Sequence, residues 1–560
     1  MKLNIDKLLH SMSIREKAGQ LFLQEFQSYW KPTDEIIKVI HRGDIGGTIY
    51  FTGCNVRNAA QLAELTWKLQ RAAKKSPHAL PLIISIDHEG GQLNSLLGGT
   101  NHPGNMAIAA TKNAAENAKI AGRITGRELK AAGITVNFAP VVDVVYDTKE
   151  AITDNRSYSS NPDVCSKLAV AYYTAHEAQG VATCAKHFPG QRIVPAGKDT
   201  HYELDVIPFG TKRLNAVEFK PFKSVCAAGI ASIMAGHCAY AQYDNKKTPA
   251  SLSKNLMTKL LREQWGYTGL MITDDLIMQA IMKMYSKEQA IVKSINAGAD
   301  LIIITGETRN AAAMLEKAVQ TGRVKKERLD EACRCVLEFK QTWCAPDFDY
   351  TRIESLIHRP ADVAKVTKMA AEAITLVRDA DKLLPLKPKK REKVLIIHPG
   401  FHRLVPSDQT NFYKPDMQAV AAKHFDNFVV STIGQKPTFS EIDSTLDLTV
   451  WSDYVIFMTI NASFNKEQVE MLKRVITFKH GKVITVALRS PTDIFAYPFA
   501  PTHLITYGHN EEQLHALFKI ITGKAKATGR IPLHFDAARM ALLKSRNIKR
   551  LPPPKETPRV

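Results

Sequence analysis

Short apolar runs alternate with amphipathic stretches along residues 21–305. The runs have the length of buried strands, whereas stretches such as 58–73 repeat their apolar residues at helical spacing. The eight runs are 21–23, 45–51, 81–87, 136–143, 182–188, 232–237, 269–275 and 299–305. Eight strands that alternate with helices predict a (β/α)₈ barrel, a TIM-type fold in the α/β class. Before them, residues 1–20 are predicted as one capped helix, with Ser13 and Glu16 at capping-box spacing.

Most of these runs end in polar or charged residues, which favours the barrel. The strand ends are Asp87-His88-Glu89, Asp143, Lys186-His187, His237 and Asp274-Asp275. In a barrel the carboxyl ends of all strands meet at one mouth, where active sites lie. A doubly wound open sheet would also alternate strands with helices, but it would not need so many polar strand ends. We therefore expect a functional site at one end of a barrel that spans residues 1–344.

The pattern changes after Trp343. Residues 345–360 contain two prolines and scattered charges, and we interpret them as a linker. Five further apolar runs alternate with helical patterns, which predicts an α/β sandwich domain at residues 361–540. These runs are 394–397, 428–432, 454–459, 482–487 and 503–507. Residues 541–560 form a basic, proline-rich tail.

The chain of 560 residues carries a formal net charge of +20. Such an excess can indicate nucleic acid, anionic lipid or an acidic substrate as a partner. The basic residues are mostly dispersed, and the clusters at 387–393 and 544–559 do not interleave aromatic residues as single-strand binders do. We therefore predict a solvated basic surface and no specific nucleic acid partner, with a specific polyanion site as the alternative.

The N-terminal residues and the cysteines favour a cytoplasmic protein. No apolar run follows the charges of residues 1–7, so we expect no signal peptide. No stretch approaches the roughly twenty apolar residues of a membrane helix, so no membrane span is expected. The eight cysteines are scattered without a Cys-x-x-Cys motif, which favours reduced thiols. The oligomeric state is left open by the sequence.

Asp199-Thr200-His201 and Asp274 supply the groups that double-displacement chemistry at a sugar requires. Asp274 would attack an anomeric carbon and hold the sugar as an ester. A histidine titrates near neutrality, so His201 could first protonate the departing oxygen and later accept a proton. Asp199 would orient the imidazole and stabilise its charged form. Taken alone, an Asp-x-His pair also fits a surface loop.

Three segments together match a known pattern. They are Ala185-Lys186-His187-Phe188-Pro189-Gly190, Asp199-Thr200-His201 and Gly269-Leu270-Met271-Ile272-Thr273-Asp274-Asp275-Leu276. They resemble family 3 glycoside hydrolases, most of all the bacterial β-N-acetylhexosaminidase branch. On this resemblance Asp274 is the nucleophile, His201 the acid/base and Asp199 its partner. The resemblance also implies a retaining exo-enzyme, acting on terminal N-acetylglucosamine in glycosides such as peptidoglycan fragments. The sequence has no metal-ligand cluster, Walker loop or dinucleotide fingerprint, so no cofactor is expected.

The same resemblance implies four substrate-binding residues, Asp87, Arg156, Lys186 and His187. Asp87 matches the family's sugar-binding aspartate in an Asp-x-Glu-Gly-Gly segment, with an acidic helix N-terminus as the alternative interpretation. Arg156 would offer a planar guanidinium for bidentate bonds to substrate, although a structural salt bridge also fits it. Lys186 and His187 would lie together at the end of the fifth strand.

Departures from the family pattern leave two alternative functions open. Ser95 stands where the family carries an arginine, Gln191 replaces a histidine, and the spacing between Lys186 and His201 is longer than usual. A non-catalytic sugar-binding descendant is therefore one alternative. A phosphorylase is the other, since a neutral histidine base does not repel an incoming phosphate as a carboxylate would. The basic charge balance also fits an anionic acceptor.

Overall fold

The computed structural model describes residues 3–145, 155–191, 200–244, 247–306, 310–345, 347–401, 408–412, 414–544 and 551. Eight parallel strands of its first half form one sheet. In chain order these are β1 (Phe22–Gln24), β2 (Gly47–Tyr50), β3 (Ile83–Ile86), β4 (Val136–Asn137), β5 (Ala182–Phe188), β6 (Ser232–Ala235), β7 (Leu270–Thr273) and β8 (Ile302–Ile304). β1 pairs with both β2 and β8, and the other strands follow in sequence order. The Thr273 N–H donates to the Leu301 carbonyl at 3.0 Å, which joins β7 to β8 and closes the barrel. The predicted (β/α)₈ barrel is confirmed.

Helices surround the barrel. They are Ile5–Ser11, Ile14–Gln20, Asp34–His41, Ala59–Ala73, Asn105–Ala110, Ala114–Ala131, Pro162–Glu177, Thr211–Ala216, Phe219–Ala227, Gln279–Met282, Lys287–Ala297, Ala311–Gln320 and Lys326–Trp343, with a π-helical segment at Asn255–Gln264. The prediction of one helix at residues 1–20 was wrong, because the extended backbone of Met12 separates two helices. The predicted capping box between Ser13 and Glu16 is present at the start of the second.

Apolar side chains fill the barrel interior. Leu23, Ile49 and Ile83 belong to one buried cluster contributed by several strands. Successive side chains of a strand point to opposite sides, so Ile84 packs outward in a different cluster with Leu62 of a surrounding helix. The barrel is therefore a packed core, and functional side chains are left to the ends of its strands.

A second sheet has six strands, with helices along both faces. The strands are β9 (Thr375–Asp379), β10 (Val394–Pro399), β11 (Phe428–Ile433), β12 (Tyr454–Thr459), β13 (Val483–Ala487) and β14 (Thr502–Ile505). Their order in the sheet is β9-β14-β13-β12-β10-β11, and only the β9–β14 pair is antiparallel among these described strands. The helices are Pro360–Ala373, Met417–Ala422, Phe439–Val450, Lys466–Phe478, Glu511–Ile521 and Ala537–Lys544.

Alternation along β10 explains the two covered faces. Ile396 packs into one buried cluster, whereas Leu395 and Ile397 pack into another on the opposite face. The predicted α/β sandwich is confirmed, although β9 was not predicted. Within the described ranges, no helix combines the length and apolar content needed to span a bilayer.

The barrel and the second sheet are in contact. Ile353, from the predicted linker, packs into a barrel core cluster. Arg127 of the barrel pairs with Asp362 of helix Pro360–Ala373 at 2.8 Å. The domain limits at residues 344, 361 and 540 stay predictions, and so does the basic tail.

Candidate active site

The carboxyl ends of the barrel strands bring several of the predicted site residues to one mouth. Asp87 directly follows β3, Lys186 and His187 end β5, and Asp274 directly follows β7. All strands of a closed parallel barrel end on the same side, so these residues converge although they are far apart in the chain.

A buried ionic network lies beside this mouth. Lys186 Nζ pairs with Asp87 Oδ1 and lies 2.7 Å from Glu89 Oε1. Arg156 binds the same Glu89 carboxylate with Nε and Nη2, both at 2.7 Å. Two cations and two carboxylates therefore balance at a place where Lys186 and Glu89 are each only 2% exposed. The structural salt bridge considered for Arg156 is present, and its contact with substrate stays a prediction.

The charges of this network stabilise one another. Burial alone would raise the pKa of Glu89, but the charges and hydrogen bonds of Arg156 and Lys186 lower it to about 2. Burial acts to lower the pKa of Lys186, but Asp87 and Glu89 raise it above its usual value. Asp87 is the more accessible carboxylate, with 24% of its side chain exposed, and can accept hydrogen bonds from sugar hydroxyls.

Asp143, in the loop after β4, fixes the orientation of His187. Its Oδ2 lies 2.7 Å from His187 Nδ1. Because a carboxylate only accepts, Nδ1 carries a proton. Asp143 Oδ1 also accepts the Gln191 main-chain N–H at 2.8 Å. One carboxylate therefore holds both a predicted substrate ligand and the start of the loop that leads to His201.

Asp274 is half-buried at the mouth. Its Oδ1 accepts the main-chain N–H of Asp275 at 2.8 Å. Burial acts to raise the pKa of Asp274, but the imidazoles of His237, His187 and His201 lower it below the usual value. The carboxylate is therefore ionised at neutral pH, which is the state that a nucleophile needs.

His237 and Asp275 are satisfied within the protein. His237 Nε2 donates to the Asp275 carbonyl at 2.9 Å, and Nδ1 accepts from the Ser251 hydroxyl at 2.8 Å. Burial lowers the pKa of His237, so the ring is neutral. The Asp275 carboxylate accepts the Thr305 hydroxyl and, at 3.2 Å, the Thr305 main-chain N–H, while burial raises its pKa to about 6. Both side chains support the end of β7 from within the fold.

His201 is tied to the chain that follows β7. Its carbonyl accepts the main-chain N–H of Gln279 at 3.3 Å. Gln279 begins helix Gln279–Met282, shortly after Asp274. The predicted acid/base and nucleophile are therefore carried by adjoining segments. Asp199 lies outside the described residues, so its contact with His201 stays a prediction.

Comparison with known proteins identifies the family. The model of the glycosyl hydrolase family 3 N-terminal domain matches residues 13–339, more than half of the chain. The chain belongs to glycosyl hydrolase family 3. The predicted resemblance is confirmed, and with it the prediction of a glycoside hydrolase.

Two relatives of this family 3 enzyme align with about nine-tenths of the chain, and a third aligns with less than half of it. Beta-hexosaminidase A of Pseudoalteromonas piscicida is 29% identical over 550 residues, which cover 89% of this chain and 90% of that protein. A beta-hexosaminidase of Neisseria meningitidis is 33% identical over 267 residues, which cover 46% of this chain and 71% of that protein. A solved family 3 beta-N-acetylglucosaminidase of Paenibacillus sp. str. FPU-7 has a TM-score of 0.85 at 30% identity and covers 94% of this chain and 99% of its own.

Sequence reasoning gave no role to three residues that the structure of this family 3 enzyme brings to the mouth. The sequence could have indicated Glu89 and Asp143 as site residues, since each is a charged residue at or soon after the end of an apolar run. Nothing in the sequence indicated Gln409, because it lies in the second half of the chain. Its Oε1 lies 3.0 Å from the Ser95 hydroxyl, in the connection after β3.

Proposed function

We propose that this family 3 enzyme is a retaining exo-β-N-acetylhexosaminidase. It removes terminal N-acetylglucosamine from glycosides such as peptidoglycan fragments. The observation that carries the proposal is the place of Asp274 at the barrel mouth, directly after β7 and on a chain segment that the Gln279 N–H joins to the His201 carbonyl at 3.3 Å. A carboxylate nucleophile with an imidazole beside it can perform double displacement at an anomeric carbon.

In the first step, Asp274 attacks the anomeric carbon while the bond from that carbon to the leaving oxygen breaks. The electron pair of the broken bond stays on the oxygen, and His201 gives it a proton, so the aglycone departs as an alcohol. The sugar becomes an ester of Asp274. Asp199 orients the His201 ring and stabilises its charged form before the transfer.

In the second step, His201 is neutral and takes a proton from water. The water oxygen attacks the anomeric carbon, and the ester bond breaks to restore the Asp274 carboxylate. Each step inverts the anomeric centre, so the product keeps the configuration of the substrate. The imidazole ends the cycle protonated, ready for the next leaving group.

The ionic network and His187 bind the sugar in this proposal. Asp87 accepts from ring hydroxyls, whereas Arg156 and Lys186 donate to sugar or acyl oxygens. The preference for N-acetylglucosamine is supported by the names of the relatives, a beta-hexosaminidase and a beta-N-acetylglucosaminidase that align with about nine-tenths or more of this chain.

The test is hydrolysis of aryl N-acetyl-β-glucosaminides by the wild type, Asp274→Ala and His201→Ala, with His41→Ala as an exposed control. We expect Asp274→Ala to lose turnover and His41→Ala to keep it. His201→Ala should lose activity by roughly 10²-fold to 10⁴-fold on a poor leaving group, and less on a good one that needs no protonation. Equal losses on both leaving groups would contradict the role of His201.

A parallel series with inorganic phosphate separates the alternatives. Release of a sugar 1-phosphate in place of the free sugar would identify a phosphorylase. A wild type that binds N-acetylglucosamine without turning over any aryl glycoside, with or without phosphate, would identify a sugar-binding descendant.

A further inference from the structure

One segment of the second half of the chain, residues 408–412, reaches the barrel mouth. Gln409 Oε1 accepts from the Thr52 hydroxyl at 2.8 Å and lies 3.0 Å from the Ser95 hydroxyl. The Gln409 main-chain N–H donates to the Gln92 carbonyl at 3.1 Å. Thr52 lies just after β2 and Ser95 lies in the connection that follows β3, so a single residue bridges the connections after two neighbouring barrel strands.

Ser95 carries this contact to Asp87. The Ser95 hydroxyl lies within hydrogen-bond distance of both Gln409 Oε1 and the Asp87 main-chain carbonyl, and these two acceptors share its single proton. Ser95 is fully buried. The Asp87 side chain in turn pairs with Lys186. A displacement of Gln409 is therefore transmitted, through one hydroxyl, to the carboxylate that the proposed function assigns to the sugar.

A buried ion pair holds Gln409 in its position. Asp408 and Arg489 lie 2.7 Å apart, and their side chains are 0% and 2% exposed. Arg489 Nη2 also donates to the Thr410 hydroxyl at 2.6 Å. The residues on both sides of Gln409 are thus bound to one guanidinium, which stands just after β13. Separating the partners of a buried ion pair is strongly unfavourable. The segment is therefore held against Arg489, at the end of β13.

We propose that Gln409 is a positioning residue that holds the loop after β3, and with it Asp87, in the geometry that binds substrate. It acts through Ser95 from the segment between β10 and β11, and it touches no reacting atom. The proposal rests on the assignment of Asp87 to substrate binding in the proposed function. Loss of Gln409 weakens substrate binding and leaves the protonation of Asp274 and His201 unchanged.

The test is a double-mutant cycle between Gln409→Met and Ser95→Ala in the full-length enzyme. Methionine keeps the length of the side chain and removes the acceptor. We expect each single variant to raise KM about tenfold, and the double variant to raise it by about the same factor, because both changes interrupt one chain of contacts. The kcat should change less than about threefold and keep its pH dependence. The control is Gln418→Met, an exposed glutamine in the same half of the chain, which should keep the wild-type KM.

Two results would overturn the proposal. One is a double variant whose rise in KM is the product of the two single effects, and the other is a Gln409→Met variant with the wild-type KM. Thermal unfolding checks the fold of each variant, and Gln409→Asn, with an amide too short to bridge both hydroxyls, replaces a Gln409→Met that does not fold.

The same cycle separates failure of this inference from failure of the proposed function. If the wild type binds N-acetylglucosamine but does not hydrolyse, the cycle is measured on the calorimetric Kd of that sugar, with the same expected pattern. If the wild type neither hydrolyses an aryl glycoside nor binds N-acetylglucosamine, the proposed function and the positioning role both fail.

Discussion

Replacing Glu89 by glutamine tests the ionic network at the barrel mouth. The change keeps the shape of the side chain and removes the negative charge that Arg156 and Lys186 share, each at 2.7 Å. It leaves two buried cations with only Asp87 to balance them. We therefore expect a loss of folding stability that is large for a single isosteric substitution.

The pKa of Glu89 gives the magnitude. Its lowering from 4.5 to about 2 corresponds to roughly 3 kcal/mol of stabilisation of the folded state. Because the folded pKa lies below the ordinary one, the contribution is complete above pH 4.5 and is lost as the pH falls towards 2. Glu89→Gln should therefore lower the free energy of unfolding by about 3 kcal/mol at pH 7, and the difference from wild type should shrink below pH 4.5.

Urea unfolding followed by tryptophan fluorescence measures this loss. A Trp451→Phe background restricts the signal to the barrel half of the chain, because every other tryptophan precedes residue 344. Glu288→Gln is the matched control. Glu288 pairs with Arg323 on the surface, with side chains 36% and 44% exposed, so its loss should cost less than about 1 kcal/mol. Equal small losses in Glu89→Gln and Glu288→Gln, or a Glu89→Gln deficit that persists undiminished towards pH 2, would refute the reasoning.

Three further changes have expected outcomes. Asp143→Asn removes the charged partner of His187 and should raise KM about tenfold in steady-state kinetics, and an unchanged KM would contradict its orienting role. In the folded protein the pKa of Asp275 is raised from 3.8 to about 6. The free energy of unfolding of the wild type should therefore fall by up to about 3 kcal/mol relative to Asp275→Asn as the pH rises from about 4 to 6. Unfolding midpoints whose difference does not change with pH would contradict this. Ser13→Ala removes a helix cap and should lower the unfolding free energy by about 1 kcal/mol, while Ser11→Ala, outside the cap, should cost less.

The barrel could be predicted because its strands are short, continuous apolar runs that end in polar residues. Asp87, Lys186 and Asp274 each lie at or just after such an end. The edge strand β9 could not be predicted, because its burial runs against its hydrophobicity. Leu376 is 40% exposed there, whereas Arg378 is buried and donates to main-chain carbonyls.

The partners within the site were beyond sequence reasoning. The sequence marks Glu89 as a charged residue after a strand, but its pairing with Arg156 depends on how two loops meet above the barrel. The contact of Gln409 with Ser95 depends on the packing of one sheet against another. Hydrophobic periodicity describes single elements, so contacts of this kind need the assembled fold.

The stretch from Gln191 to His201 is anchored at both ends, so its length can change without moving His201. The Gln191 N–H is held by Asp143 at one end, and the His201 carbonyl is bonded to Gln279 at the other. Doubling the length of a loop between fixed ends costs only about 0.6 kcal/mol of closure entropy. Insertions and exchanges between Gln191 and Asp199 can therefore change the proposed leaving-group contacts while His201 and Asp274 keep their attachment, which makes this stretch a natural target for redesigning specificity.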